Sequence, residues 1–244
     1  MLDSYCLDFF YIFLGIFILV YLAIFEYCTY VTNKPTYSRQ AQTMGSYGYG
    51  ECDVNLYPEY KGCSIPKICG GPLDGVYELH CLNLRWGPND EEGTEHMINN
   101  KRFALELQVT FLRAGHRNKF IAADAGDAIM VAYIYQTTPI ANPYLNIILE
   151  QLGPASESFK RYEIETIPVS LLAPCFSRGY FSYVGSLTHP PCIEGVRWIV
   201  HPEPLSISCC QMKKLRKTHM LYCDLKNNTR PVQELNSREV IFYD

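Results

Sequence analysis

Three polar side chains stand where two predicted strands would bring them together. Asn83 and Arg85 are two positions apart in residues 79–87, so an extended strand places them on one face. Gln108 lies in a second alternating stretch, residues 102–111, and would meet the other two if the strands are neighbours. Two carboxamides beside a guanidinium offer many N–H donors, which suit a carboxylate partner or a bound anion. They offer no thiolate, imidazole or carboxylate, the side chains that bind transition metals best.

Alternation along both stretches predicts strands with one buried face. In the first strand the face of Asn83 and Arg85 also carries Tyr77, Leu79 and Cys81, and the mostly apolar opposite face carries Val76, His80, Leu82, Leu84 and Trp86. In the second strand the apolar face consists of Leu105, Leu107, Val109 and Phe111, and the opposite face of Ala104, Glu106, Gln108 and Thr110. Both strands are therefore expected to be half-buried.

A series of short motifs spans most of the chain: GGPLDGVY at 70–77, WG at 86–87, GTEH at 93–96, EL at 106–107, GSLTHPPC at 185–192, WIV at 198–200 and RPVQELNSR at 230–238. In order and spacing they resemble the α-carbonic anhydrases. The resemblance implies a mainly β (α+β) fold, with a large, mostly antiparallel twisted sheet, short peripheral helices and a shortened N-terminal part.

The same resemblance assigns three positions that bind zinc in the family. Two histidines of one strand and a third from the next strand hold the ion, with one position left for water. Here those positions are Asn83, Arg85 and Gln108. Arg85 also brings a permanent positive charge to the place of the cation. The resemblance therefore points to the carbonic anhydrase-related proteins, which keep the fold and lose the metal, and no cofactor is expected.

The resemblance also places side chains around these positions: Glu95, His96, Glu106, Leu187, Thr188, His189 and Trp198. Glu95 and Thr188 resemble the pair that orients the zinc-bound hydroxide, and Glu106 the carboxylate that supports the third histidine. Without metal, we expect a retained hydrogen bond between Glu95 and Thr188 and an ion pair between Glu106 and Arg85. An anion-binding pocket centred on Arg85 is the alternative.

Two functions are compatible with these residues. The first is a catalytically silent module that binds or scaffolds an unknown protein partner, and this is the one we expect. The alternative is a zinc-dependent carbonic anhydrase that hydrates CO₂ reversibly with an unconventional site. Composition adds little to this choice, although a net charge of −4 gives no basic stripe for nucleic acid.

One part of the resemblance is missing. The stretches around Tyr47-Gly48-Tyr49-Gly50 and residues 57–68 look like the family's opening, and the chain then passes directly to Gly70. A few dozen residues that normally follow, including the proton-shuttling histidine, are absent. A genuine deletion and an error in the gene model both account for this gap, and a truncated product without a stable fold is a third reading.

Residues 9–31 form a hydrophobic stretch whose uncharged part, 9–25, is just long enough to span a bilayer as a helix. No basic residue precedes it and no small-residue cleavage site follows, so a signal-anchor is favoured over a signal peptide. The predicted organisation is a tail at 1–8, this transmembrane segment at 9–31, a linker at 32–50 and the carbonic anhydrase-like domain at 51–244.

The side of the membrane on which the domain lies is predicted from weaker sequence features. Lys34 and Arg39 after the hydrophobic stretch would place the domain in the cytosol. A glycosylation sequon at Asn227 and the resemblance of Cys192 to a disulfide-bonded position in secreted relatives favour the extracellular or lumenal side. Cys63 is the expected partner of Cys192. We expect an extracellular or lumenal domain.

Further elements follow from local patterns. The apolar run 129–135 predicts a central strand, and helical spacing in 144–152 predicts a helix that ends at Gly153-Pro154. Residues 180–183 and 196–200 are expected to be strands, residues 162–172 a loop, and residues 212–217 a short basic helix.

Overall fold

The computed structural model describes residues 36–42, 53–59, 65–152, 161–164, 167–176, 179–217 and 227–244. Its strands are β1 (Thr36–Gln42), β2 (Asp53–Glu59), β3 (Lys67–Ile68), β4 (Tyr77–Trp86), β5 (Leu105–Arg113), β6 (Ala128–Thr138), β7 (Arg161–Ile164), β8 (Tyr180–Ser186), β9 (Glu194–Ser208) and β10 (Ile241–Tyr243). Its helices are α1 (Lys119–Asp124), α2 (Pro143–Leu152), α3 (Val169–Leu172) and α4 (Cys209–Arg216).

The strands form one sheet in the order β10-β8-β9-β6-β5-β4-β2-β1-β7, and β3 pairs with β4 beside this path. The β6–β9 pair is parallel, and the other pairs are antiparallel. The prediction of a large, mostly antiparallel sheet with short helices around it is confirmed.

The pairing of β4 with β5 positions the polar residues. Asn83 lies opposite Gln108, and Arg85 lies opposite Glu106. A register shift between Leu79 and Cys81 interrupts the alternation, as a β-bulge does. Tyr77 and Leu79 therefore join the apolar cluster of the opposite face, and the prediction that they share a face with Asn83 and Arg85 is wrong.

Two apolar clusters cover the two faces of the sheet. One contains Leu82, Leu84 and Leu107 together with residues of α2, α3 and α4. The other contains Ala132, Leu187 and Trp198 together with Ala122 and Ala123 of α1. Because Gln108 pairs directly with Ala132, the polar residues lie on the side of this second cluster. The polar group is thus enclosed within the sheet's second face.

Several local predictions are confirmed by these elements. The run 129–135 lies in β6, between β5 and β9, and helix α2 matches the predicted helix. The strands at 180–183 and 196–200 are the cores of β8 and β9. The basic helix begins earlier than expected, because Ser208 and Gln211 form a capping box in front of Cys209.

Other predictions need correction. Residues 162–172 are not a simple loop, since β7 and α3 lie there. Part of the predicted linker at 32–50 forms β1, which pairs with β2 on one side and β7 on the other. Helix α1 was not predicted, although Asn118 is a recognisable N-cap that accepts from two backbone amides.

The predicted transmembrane segment at 9–31 lies outside the described residues. Among those that are described, no helix is long and apolar enough to cross a membrane. Membrane attachment and its sidedness remain predictions.

Candidate functional site

Arg85 is the centre of a buried polar cluster. Its side chain is 2% exposed. Its Nε donates to Gln108 Oε1 at 3.5 Å, and its Nη1 donates to the carbonyl oxygen of Asn228 at 3.2 Å. The nearest described carboxylate is that of Glu95, whose Oε1 lies 3.8 Å from Nε. The guanidinium therefore has both neutral acceptors and a counter-ion within the fold.

Glu95 accepts hydrogen bonds from two distant parts of the chain. Gln108 Nε2 donates to its Oε2 at 2.6 Å, and the backbone N–H of Arg230 donates to its Oε1 at 2.8 Å. Burial raises the pKa of Glu95 against the opposing influence of Arg85. The expected bond to Thr188 is not formed, because the Thr188 hydroxyl donates to Gln108 Oε1 at 3.4 Å.

Glu106 belongs to a second, adjoining group. Its Oε2 accepts the backbone N–H groups of Glu95 and His96, both at 2.9 Å, and its Oε1 accepts from Gln108 Nε2 at 2.8 Å. The His96 ring lies between Glu106 and Tyr183, with Nδ1 2.9 Å from Oε1 and Nε2 2.7 Å from the Tyr183 hydroxyl. The predicted ion pair of Arg85 with Glu106 is therefore wrong, since Glu106 pairs with His96 and Arg85 with Glu95.

The electrostatics of Glu106 and His96 follow from this contact. Burial alone would raise the pKa of Glu106, but the charge and hydrogen bonds of His96 outweigh it and lower that pKa to about 2. Burial likewise acts to lower the pKa of His96, and Glu106 outweighs it and raises that pKa. The two groups stabilise each other's charged forms.

Asn83 lies beside this cluster and extends it to β2. Its Nδ2 donates to Oδ1 of Asn55, which is 2% exposed. Asn55 lies opposite Asn83 in the β2–β4 pairing. Sequence reasoning missed Asn55, although it alternates with the apolar Val54 and Leu56, a pattern that could have revealed it.

Asn228 and Arg230 were also missed. The Asn228 carboxamide accepts from Trp86 N and donates to Leu84 O, both at 2.9 Å, so it extends the hydrogen bonding of β4 as a neighbouring strand would. Arg230 contributes its backbone amide to Glu95. Both residues are in the C-terminal segment, and no pattern in the local sequence predicts contacts with the distant residues of the polar cluster.

The remaining predicted residues lie at the edge of the cluster. Leu187 and Trp198 are buried in the second apolar cluster, and Trp198 Nε1 donates to Ser186 O at 3.0 Å. His189 is 6% exposed, and its ring centroid is 5.6 Å from that of Phe120. Leu187, Trp198 and His189 thus form a buried border beside the polar cluster.

Comparison with known proteins agrees with this architecture. The family model for eukaryotic-type carbonic anhydrase matches residues 36–244. The chain belongs to the eukaryotic-type carbonic anhydrase family. It is 33% identical over 180 residues to a putative carbonic anhydrase 5 of Caenorhabditis elegans, covering 72% of this chain and 57% of that relative.

A second relative gives a similar picture. Carbonic anhydrase 1 of Monodelphis domestica is 33% identical over 148 residues, which are 60% of this chain and 56% of the relative. The chain thus spans little more than half the length of these curated carbonic anhydrases.

The polar cluster does not fit the zinc ion that carbonic anhydrases imply. Zinc needs thiolate, imidazole or carboxylate ligands, and a guanidinium at the centre would repel it. Within the described part of the chain, no three His, Cys, Asp or Glu side chains are grouped so that they could hold a metal. His96, which belongs to this cluster through Glu106, has both ring nitrogens engaged by Glu106 and Tyr183.

A cavity of about 770 Å³ adjoins the cluster. Glu95 and Thr188 line one part of it, Tyr183 and Trp198 another, and the C-terminal segment 230–240 a third. It offers space beside the carbonic anhydrase-type polar cluster, whereas Arg85 and Gln108 themselves are enclosed.

Two predicted covalent features keep their status as predictions. Asn227 is exposed, as glycosylation requires, and its neighbour Asn228 is buried. Cys192 has no disulfide partner among the described residues, and its expected partner Cys63 lies outside them.

Proposed function

We propose that this member of the carbonic anhydrase family is catalytically silent and acts as a binding or scaffolding module for a protein partner. The observation that carries the proposal is Arg85, a buried guanidinium paired with Glu95 at 3.8 Å. The resemblance puts Arg85 where a zinc ligand would stand. Arg85 cannot lose its proton in a protein, so it both fails to bind the cation and repels it.

Gln108 supports the same conclusion. Its carboxamide is already committed on both sides, with Nε2 donating to Glu95 and Glu106 and Oε1 facing Arg85 and Thr188. If Gln108 bound zinc, it would have to give up these hydrogen bonds. Its buried partners would then be unsatisfied, which costs about 1–3 kcal/mol for each group. Thr188, the residue that resembles the hydroxide-orienting threonine, is bound to Gln108 in this arrangement.

The alternative is a zinc-dependent carbonic anhydrase with an unconventional ligand set. It is favoured by the names of the relatives, both of which are carbonic anhydrases. It requires ligands other than Asn83, Arg85 and Gln108. Stoichiometric zinc in the wild-type protein would favour this alternative over the proposed function.

The proposal includes attachment to a membrane through residues 9–31, with the domain on the extracellular or lumenal side. It rests on the hydrophobic stretch and the exposed Asn227 sequon. Glycosidase sensitivity of the full chain, compared with Asn227→Gln, tests the sidedness. A chain of unchanged mobility in both would argue for the cytosol.

The metal test uses the full chain. Zinc content by mass spectrometry of the purified protein and CO₂ hydration by stopped flow are expected to stay at background. The triple variant Asn83→His, Arg85→His and Gln108→His is expected to gain stoichiometric zinc, whereas each single variant is not, because two ligands would still be missing. One tightly bound zinc per wild-type chain, or hydration above background, would overturn the proposal.

A further inference from the structure

The cavity beside the polar cluster has walls suited to an apolar ligand. Strands β8 and β9 contribute Phe181, Tyr183, Trp198 and Val200, and the C-terminal segment contributes Leu235, which is 53% exposed. Its volume of about 770 Å³ falls within the range of about 300–1,000 Å³ that is usual for small-molecule sites. A cavity of this volume is too small to receive a folded protein partner, but it is large enough for one elongated small molecule.

Two arginines, Arg230 and Arg238, line this cavity. Neither Arg230 nor Arg238 makes an ion pair within the described residues. Arg230 donates to Ser186 Oγ at 3.2 Å and to Gln233 Oε1 at 3.3 Å, both neutral oxygens. Arg238 donates to the Leu235 carbonyl at 3.1 Å and lies over the Tyr183 ring at 5.6 Å. Among the residues that the structure describes, neither guanidinium has a carboxylate counter-ion.

The two carboxylates that line the cavity do not supply this compensation. The Glu95 side chain is 5% exposed, and its oxygens accept from the Gln108 side chain and the Arg230 backbone. Its counter-ion is Arg85. Glu234 is exposed to solvent, and its carboxylate forms no ion pair with either arginine. The guanidinium groups of Arg230 and Arg238 are therefore available to pair with an anion bound in the cavity.

We infer that this cavity binds an amphiphilic carboxylate of about the size of a medium-chain fatty acid. The planar fork of a guanidinium matches a carboxylate, which places the head group at Arg230 and Arg238. The apolar tail lies along Phe181, Val200 and Leu235, where it removes exposed apolar surface from water. This binding site does not depend on whether the protein lacks zinc and catalytic activity, because Asn83, Arg85 and Gln108 take no part in it.

Dodecanoate is the probe, and dodecanol and dodecyltrimethylammonium are its neutral and cationic matches. Titration calorimetry of the full chain is expected to show dodecanoate binding at least about tenfold more tightly than dodecanol, and the cation more weakly still, because a hydrogen bond to a charged group is worth about a tenfold change or more. Quenching of tryptophan fluorescence by 12-bromododecanoate reports the position of the tail. Trp198→Phe is expected to remove most of that quenching.

The variants Arg230→Gln and Arg238→Gln are each expected to raise the dissociation constant of dodecanoate about tenfold and leave that of dodecanol unchanged. Arg197→Gln is the matched control, because Arg197 precedes Trp198 in β9 and points to the opposite face. Arg238→Lys is expected to lie between the wild type and Arg238→Gln, because an ammonium keeps the positive charge and loses the planar fork. Should Arg230→Gln fail to fold, Arg238→Gln decides.

Absence of dodecanoate binding, or equal binding of dodecanol, would overturn the site. So would wild-type affinity in Arg238→Gln, which would place the fatty acid elsewhere, for instance on the hydrophobic residues 9–31. Zinc content and CO₂ hydration are measured separately from dodecanoate binding. A negative binding result therefore does not affect the proposed function, and zinc in the wild-type protein does not affect the proposed fatty-acid site.

Discussion

The guanidinium of Arg85 and the carboxylate of Glu95 lie 3.8 Å apart, with side chains only 2% and 5% exposed. A buried charge of this kind is tolerated because its partner is buried with it. The pair joins β4 to the loop between β4 and β5, at the place where the resemblance to carbonic anhydrases puts a metal. Under the proposed function, this ion pair lies where a zinc ion would be bound in a carbonic anhydrase.

Glu95→Gln is expected to destabilise the protein by about 3–5 kcal/mol, because it leaves Arg85 buried without its counter-ion. Urea unfolding measures the change. Glu91→Gln is the control, since Glu91 is exposed and a surface change of this kind usually stays within about 0.5 kcal/mol. The double change Arg85→Met with Glu95→Leu is expected to recover part of the loss. Equal stability of Glu95→Gln and Glu91→Gln would contradict the pairing.

The Glu106–His96 contact predicts how stability depends on pH. The pKa of Glu106 falls from 4.5 to about 2 on folding, so its contribution is present above about pH 4.5 and is lost as the pH falls towards 2. The pKa of His96 is raised from 6.5, so its contribution is complete below about pH 6.5 and is lost as the pH rises through the folded value. The pair therefore stabilises most between about pH 4.5 and 6.5.

Urea unfolding from pH 3 to 9 measures this profile. In His96→Gln the part of the decline that begins above pH 6.5 is expected to disappear, since no imidazolium remains to be lost. His116→Gln is a control, because His116 contacts Asp127 at 3.0 Å on the partly exposed surface rather than Glu106. A decline of the same size in wild type and His96→Gln would assign it to another group.

Asn227 and Asn228 provide a neighbouring pair of test positions. Asn228→Ala removes the carboxamide that bonds Trp86 N and Leu84 O at 2.9 Å, and each buried group left unsatisfied costs about 1–3 kcal/mol. Asn227→Ala changes an exposed side chain and is expected to stay within about 0.5 kcal/mol. The measurement is the free energy of unfolding in protein made without glycosylation. Similar losses in both variants would show that Asn228 does not support β4.

The sequence predicted the central part of the site because that part depends on local alternation. The period of two put Gln108 and Glu106 on one face of β5, and antiparallel pairing then brought Gln108 to Asn83. The bulge after Leu79 escaped detection, because Tyr77 and Leu79 are apolar and fit either face. Alternation states which face a residue occupies only as long as the strand stays regular.

The ion pairs were harder to predict for a different reason. Glu106 is opposite Arg85 in register, which made it the obvious partner. The loop before β5 instead directs two backbone N–H groups and the His96 ring at Glu106, and it brings Glu95 to Arg85. The carbonyl of Asn228 reaches Arg85 across 143 residues of sequence. Such contacts follow from the path of loops and termini, which local patterns do not specify.

Gln108 gives the sharpest test of how charge is balanced in this cluster. Its Nε2 lies 2.6 Å from Glu95 Oε2 and 2.8 Å from Glu106 Oε1, so Gln108→Glu would set a third carboxyl group beside two others. Like charges raise the pKa of the new group above the unfolded value of about 4.3, so the folded state keeps a proton that the unfolded state loses.

The penalty of Gln108→Glu is therefore expected to be small at pH 4, where the protonated carboxyl can still donate one hydrogen bond, and to grow as the pH rises above 4.3. Each unit by which the pKa is raised adds about 1.4 kcal/mol of destabilisation at pH 7.5. Urea unfolding at the two pH values measures it, with Gln136→Glu as control, because Gln136 is exposed on the neighbouring strand β6. A penalty that is equal at pH 4 and pH 7.5 would mean that Arg85 neutralises the added carboxylate, and the charge of the cluster would then be set by the guanidinium alone.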